Sequence, residues 1–413
     1  MEEMKTTIHT LCFIACVLLV QSCKHESDDS LNGYESGEEK AGGATTTYDF
    51  SQEAFNHSAP NLGSSDETKF QVGNSFFKQN WVIAPSSTAG RDGLGPMYNA
   101  LGCSGCHSDD GPGFVPPSGS ADGVTGLLIR VSVSGTDLHG GSNPDAVYGT
   151  QFQPIAIPGV QPEGDFIISR TTISGTYADG TSYTLQKPTY TLSGNYGSTA
   201  GLLTSPRLSP PMIGLGLLEA INESDILAKA DETDADGDGI SGKANYVWNY
   251  VTNAPQLGRF GWKANEPSIF QQVAGAFNGD IGLTTSLFTS DGCTSAEHDC
   301  QAAPNGNDST SNFEVNDYQL GVVVLYSQTL GVPARRNAKD ATVLAGKKLF
   351  NDAGCAKCHT PSYTTGSHQV SSLSGQKIYP YTDLLLHDMG DDLADGRPDY
   401  LASGNEWRTP PLW

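Results

Sequence analysis

Basic side chains are scarce in this sequence. Lysine and arginine total 23 against 46 aspartates and glutamates, a formal charge of −23. A field of that sign repels nucleic acid and anionic membrane surfaces, so DNA and RNA partners are excluded. The apolar run Ile8 to Val20 is only 13 residues and is broken by His9 and Thr10, too short for the roughly 20 that a spanning helix needs. Charged residues are also few, at 17%, while 48 glycines and 23 prolines among 413 residues argue against a helical bundle or coiled coil. What remains is a loop-rich globular chain, long enough for two or three domains.

The N-terminal run is followed by Val20-Gln21-Ser22-Cys23 and then by a polar, acidic stretch. A small residue just before a cysteine marks a lipoprotein cleavage site, so residues 1–22 read as a signal peptide and Cys23 as the lipid-bearing N-terminus. The expected location is the cell envelope, with the chain anchored by lipid at the outer membrane and facing the periplasm or the cell surface. Residues 23–68 are rich in Ser, Asp, Glu, Gly and Thr and bury little, which predicts a flexible acidic tether.

Cysteine usage carries the chemistry. Seven of the nine cysteines remain after cleavage at Cys23. Cys103-Ser104-Gly105-Cys106-His107 and Cys355-Ala356-Lys357-Cys358-His359 both fit C-x-x-C-H, in which two thiols on one turn reach the two vinyl groups of one porphyrin and the next histidine meets the iron. The same side chains could cage zinc, but an oxidising compartment favours covalent haem. Cys293 and Cys300, seven apart in a polar loop, read as a disulfide.

Asp234-Ala235-Asp236-Gly237-Asp238-Gly239-Ile240 places carboxylates at positions 1, 3 and 5 of a calcium-type loop, glycine at 6, and the carbonyl of Ile240 at 7. Asn245 stands at position 12 in place of the usual glutamate, so one calcium ion is expected, held more weakly than usual.

Helical spacing recurs at 213–221, 270–277 and 316–330, and strand-like alternation fills the region from about 123 to 203. A helix also runs into each cysteine motif, at 73–77 and at 341–350. Together these predict a mainly α protein with irregular loops and two cytochrome c-like haem domains. The first spans 69–336, with a β-rich insertion at about 123–203 and the calcium loop at 234–245; the second spans 337–413.

Further motifs carry a resemblance. Asp92-Gly93-Leu94-Gly95-Pro96-Met97-Tyr98-Asn99, Pro210-Pro211-Met212-Ile213-Gly214-Leu215-Gly216, Gly258-Arg259-Phe260-Gly261-Trp262-Lys263-Ala264, Val332-Pro333-Ala334-Arg335-Arg336, Tyr381-Thr382-Asp383-Leu384-Leu385-Leu386-His387-Asp388-Met389-Gly390 and Trp407-Arg408-Thr409-Pro410-Pro411-Leu412-Trp413 resemble the di-haem oxidoreductase family, peroxidase-like proteins once labelled thiol oxidoreductases. The likeness runs from about Gly73 to Trp413. Family members normally continue past this last motif, so the second domain is expected to be cut short.

The resemblance implies a peroxide-reactive haem on His107, an electron-transfer haem on His359, and calcium between them. It also implies a Gln and an acid near the reactive iron. Gln272 and Asp280, eight apart, are the candidates, with Asp280 moving the proton. Met389, 30 residues after His359, is the candidate distal ligand of the second iron, and Arg259 and Arg408 are candidate partners of haem propionates. The expected small reactant is hydrogen peroxide or another small oxidant, with a small cytochrome or cupredoxin as donor. A non-catalytic di-haem electron carrier is the alternative.

Overall fold

In the computed structural model, which describes residues 33–115, 119–120, 126–307 and 312–413, three helices open on a side chain that accepts a free backbone N–H of the first turn. Helix α1 (Ser64–Lys78) carries Asp66 and Glu67 in its first turn, where the helix dipole favours negative charge. Two short helices follow, α2 (Leu215–Glu219) and α3 (Glu223–Leu227). Helix α4 (Ile269–Ile281) starts where the Ser268 side chain accepts the Gln271 N–H, and it stops at Gly282, whose φ of 76° suits glycine. After the single turn α5 (His298–Gln301), α6 (Asp317–Thr329) opens on a capping box of Asn316 and Gln319. Helix α7 (Ala341–Asp352) is capped by Asp340.

Helix α6 is buried on nearly every side, as its run of Leu320, Val322, Val323, Val324 and Leu325 requires. Helices α1, α2 and α4 pack around it. The α1 contact depends on Gly73, because a Cβ there would lie 2.1 Å from the Val322 carbonyl oxygen. Phe70 and Phe77, one turn to either side, bring their rings to 4.8 and 5.0 Å from that of Tyr326.

The longer strands are β1 (Leu127–Thr136), β2 (Gly164–Thr176), β3 (Ser182–Gly194) and β4 (Leu203–Leu208). Strands β1 and β4 pair antiparallel, from Leu203 opposite Ser132 to Leu208 opposite Leu127. Alternation turns Leu127, Ile129 and Val131 into a second core with Tyr148, Phe152, Phe166 and Ile168. Strands β2 and β3 form a hairpin of 13 paired positions, which buries Gly164, Phe166 and Ile168 on one face at its base and is largely exposed on both faces beyond it.

The mainly α, cytochrome c-like expectation is overturned: among the described residues 22% are helical and 23% are strand, with seven helices. Alternating β-branched and aromatic side chains between 127 and 208 outweigh the helix-forming runs elsewhere. The expected tether also differs over its described part. Thr45, Thr46 and Thr47 are buried, and Thr46 and Thr47 pair in parallel with Val332 and Pro333. Backbone pairing and small polar side chains hold this segment where apolar content predicts none. The signal segment 1–22 and Cys23 lie outside the described residues.

The chain divides into two compact units, with a boundary between Ala356 and Lys357, inside the second C-x-x-C-H. The smaller unit holds residues 33–39 and 335–356. In it Glu38, 1% exposed, meets Lys347 Nζ at 2.6 Å and Arg335 Nη1 at 3.3 Å. The larger unit holds 40–334 and 357–413, including the apolar core and both motif histidines. Among the described residues no helix is long and apolar enough to cross a membrane.

Candidate active site

A short turn, Cys103–Gly105, carries the first motif. The N–H groups of Cys106 and His107 both donate to the Cys103 carbonyl, at 3.1 and 2.9 Å, which sets the two thiols one turn apart. His107 Nδ1 lies 2.9 Å from the Pro210 carbonyl oxygen. A carbonyl only accepts, so Nδ1 carries the proton and Nε2 keeps its lone pair for a metal. Burial lowers the His107 pKa to about 4, against hydrogen bonds to the Pro210 and Gly111 backbone, and the ring is neutral at pH 7. Burial, reinforced by the Asp280 charge, pushes the Cys103 and Cys106 thiols up to about 12.

Cys103, Cys106 and His107 line a cavity whose empty volume, counting the part open to solvent, is about 1660 Å³. Its wall is largely apolar, with Phe77, Leu128, Met212, Trp262 and Val273 among the contributors. Three guanidinium groups, of Arg130, Arg207 and Arg408, also reach it. Arg207 Nη2 is buried without a hydrogen-bond partner, with Asp395 at 3.6 Å and Asp399 at 3.9 Å. An orphaned donor beside neutral thiols and a metal-ready imidazole fits a large apolar macrocycle with acidic substituents, which is the chemistry of haem.

Helix α4 brings the candidate acid, Asp280, to the cavity wall. Gln272, Ala276 and Asp280 recur every four residues and so share the face that lines the cavity. Asp280 is raised above the usual carboxylate range by burial, while the Arg130 charge and a bond from Gln151 oppose the shift. Gln151 Nε2 donates to Asp280 Oδ1 at 2.9 Å, to Asn99 Oδ1 at 2.7 Å and to the Gly279 carbonyl at 3.0 Å. Sequence reasoning missed Gln151, Arg130 and Arg207. The two arginines alternate with apolar residues on their strands, and that alternation is the signal that could have placed them together.

At the second motif, His359 Nδ1 lies 2.8 Å from the Tyr381 carbonyl oxygen, the same arrangement as at His107. Cys358 Sγ is 3.5 Å from His387 Nδ1, and His387 Nε2 is 2.8 Å from Asp383 Oδ2. Burial lowers the His387 pKa, but the Asp383 and Cys358 bonds outweigh it and lift the ring to about 10. Cys355 lies in the smaller unit.

Other expected residues fall elsewhere. Met389 is 49% exposed, just after the strand Leu386–Asp388, and among the described contacts nothing brings its thioether to His359. Arg259 clamps the carbonyls of Leu218 and Ile221, whereas Arg408 does line the cavity. Trp262 also lines it and donates to the Leu208 carbonyl at 2.7 Å.

In the acidic loop, Asp231, Asp234 and Asp236 bring ligand atoms within 4.8 Å of one another. Asp238 instead pairs with Lys357 at 2.8 Å, and Ile240 donates its N–H to Asp238. Asn245 is excluded as a ligand: it is buried, donates to the carbonyls of Lys263 and Asp399, and accepts from the Leu401 N–H. Asp231, three residues before the expected loop, is the third member of the cluster. Cys293 and Cys300 are joined as a disulfide.

No curated protein and no solved structure matches the chain. One family model does, over residues 35–133 and 159–413, and its description is di-haem oxidoreductase, putative peroxidase. The match begins well before Gly73 and takes in most of the described part of the expected tether. With the two motif histidines poised alike and the match spanning most of its length, the chain belongs to the di-haem oxidoreductase family.

Proposed function

We propose that the chain is an exported di-haem c-type oxidoreductase that reacts with hydrogen peroxide or a similar small oxidant beside His107. The observation that carries this reading is the meeting of His107, Asp280 and Gln272 on one largely apolar cavity. Cys103, Cys106 and His107 Nε2 would hold a haem there, and it would supply the redox chemistry toward the oxidant.

The chain's own residues supply the rest. His107 is oriented through Nδ1 by the Pro210 carbonyl, which fixes the tautomer. Asp280, raised by burial, takes a proton at one oxygen of the oxidant and returns it at the other, while Gln151 holds its carboxyl in place. Gln272, two face-repeats from Asp280, offers an amide farther along the same cavity wall. Arg130, Arg207 and Arg408 bind acidic substituents, and the apolar wall excludes bulk water. Cys355, Cys358 and His359 would hold a second haem, with a small cytochrome or cupredoxin as the electron donor.

Residues 1–22 direct export, and lipid on Cys23 anchors the chain at the cell envelope, facing the periplasm or the cell surface. Calcium sits on Asp231, Asp234 and Asp236; their spacing supports this, and Lys357 ties the neighbouring Asp238 to the second haem motif. The test is peroxide consumption by chain matured with covalent haem, read with the oxidised spectrum. One high-spin haem with peroxide turnover supports the reading. Two permanently low-spin haems without turnover would make the protein an electron carrier.

A further inference from the structure

Away from the cavity, the base of the β2–β3 hairpin meets the disulfide loop through two glutamates. Glu163 is 4% exposed and Glu297 is 0% exposed, and their carboxyls lie within hydrogen-bonding reach of each other. Each has one oxygen committed to the main chain: Glu163 Oε2 accepts the Gln153 N–H, and Glu297 Oε2 accepts the Thr294 N–H at 2.6 Å. Glu297 Oε1 is buried with no hydrogen-bond partner. Asp145 and Asp299 add negative charge nearby, and among the described residues no lysine, arginine or histidine is bonded to either glutamate.

Two carboxylates in contact cannot both stay ionised in such a place without a positive charge between them. A proton or a metal ion can supply it. Burial raises both glutamates above the usual carboxylate range, Glu163 well above it, while the backbone N–H donated to each opposes that shift. Asp299 is held ionised, by the Gln161 N–H at 2.7 Å and the Tyr196 hydroxyl at 2.7 Å. A shared proton removes one charge from this group, whereas a divalent cation removes two.

We propose that Glu163 and Glu297 bind a hard divalent cation of the calcium type, which clips the Cys293–Cys300 loop to the base of the hairpin. Glu297 Oε1 and the free oxygen of Glu163 are its anionic ligands. Backbone carbonyls and water complete the oxygen shell that such an ion takes. Glu163 keeps the slight solvent exposure through which an ion can reach the pair. This site is separate from the Asp231–Asp236 loop and does not depend on the peroxide reading.

Calorimetric titration of chelator-treated, full-length protein with calcium chloride tests it. The parent is D234N/D236N, which removes two of the three clustered carboxylates of the acidic loop. It should take one calcium ion per chain, and its unfolding temperature should rise with calcium. Adding E297Q, or separately E163Q, should abolish both effects while the chain still unfolds cooperatively. Failure of the D234N/D236N parent to take calcium overturns the proposal, as does a full equivalent bound by both glutamine variants. Stabilisation of that parent by acid alone, unaffected by calcium, overturns it in favour of a shared proton among Glu163, Glu297, Asp145, Asp299 and Tyr196.

Discussion

Replacing Asp280 by asparagine should lower turnover and leave the fold as stable or more stable, a combination that a purely structural carboxylate would not give. Asp280 is partly open to the cavity yet enclosed by protein, and burial raises its pKa above 3.8 despite Arg130 and Gln151. A carboxyl whose folded pKa exceeds its unfolded one costs stability at neutral pH, and that cost fades as pH falls through the folded value. Asparagine removes the charge while its Oδ1 can still accept from Gln151. The D280N chain should therefore melt at the same or a higher temperature at pH 7, with the difference shrinking on acidification. Loss of a positioned acid/base should cost about 100- to 10,000-fold in turnover, or roughly 3–5 kcal/mol in the barrier. Stopped-flow peroxide consumption and thermal unfolding from pH 4 to 8 read both quantities. Unchanged turnover would remove Asp280 from the mechanism, and a lower melting temperature would mean that Arg130 makes the charge favourable.

Four further outcomes follow from the same geometry. Gln151→Leu should cost about 1–3 kcal/mol of stability by stranding Asn99, Gly279 and Asp280, measured by denaturant unfolding. Gly73→Ala should destabilise by about 1–3 kcal/mol, since its Cβ meets the Val322 carbonyl; Gly321→Ala, in the open, should instead gain about 0.5–1 kcal/mol. His387, lifted to about 10 by Asp383 and Cys358 against burial, adds stability below about pH 6.5 that is lost as pH rises through 10. Asp383→Asn should flatten that part of the stability profile. Mass spectrometry of denatured protein should show two covalent haems, and one in Cys103→Ala/Cys106→Ala.

Local chemistry was the legible part of the sequence. The motif spacing marks both thiol pairs, and the eight-residue step from Gln272 to Asp280 becomes a shared helical face once α4 forms. The Cys293–Cys300 pairing follows from proximity along the chain. Long-range partners were not legible. Gln151 reaches Asp280 across 129 positions, and Arg130 joins Arg207 only through the β1–β4 register. Composition also misled at Glu38, where an acidic residue in a polar stretch is buried against Lys347 and Arg335. Asn245 occupies a ligand position by counting, yet the fold turns its amide inward to three backbone partners.

The acceptors that orient His107 and His359 are both main-chain carbonyls, of Pro210 and Tyr381. Exchanging the side chain at 210 or 381 deletes neither oxygen, so ordinary point mutation has little grip on the tautomer of either ring. Only a displaced peptide changes it. The second site is the more vulnerable, because Tyr381 sits at a φ of 51°, where a non-glycine residue is strained. Any substitution that lets that residue relax would rotate its carbonyl and turn the His359 ring with it.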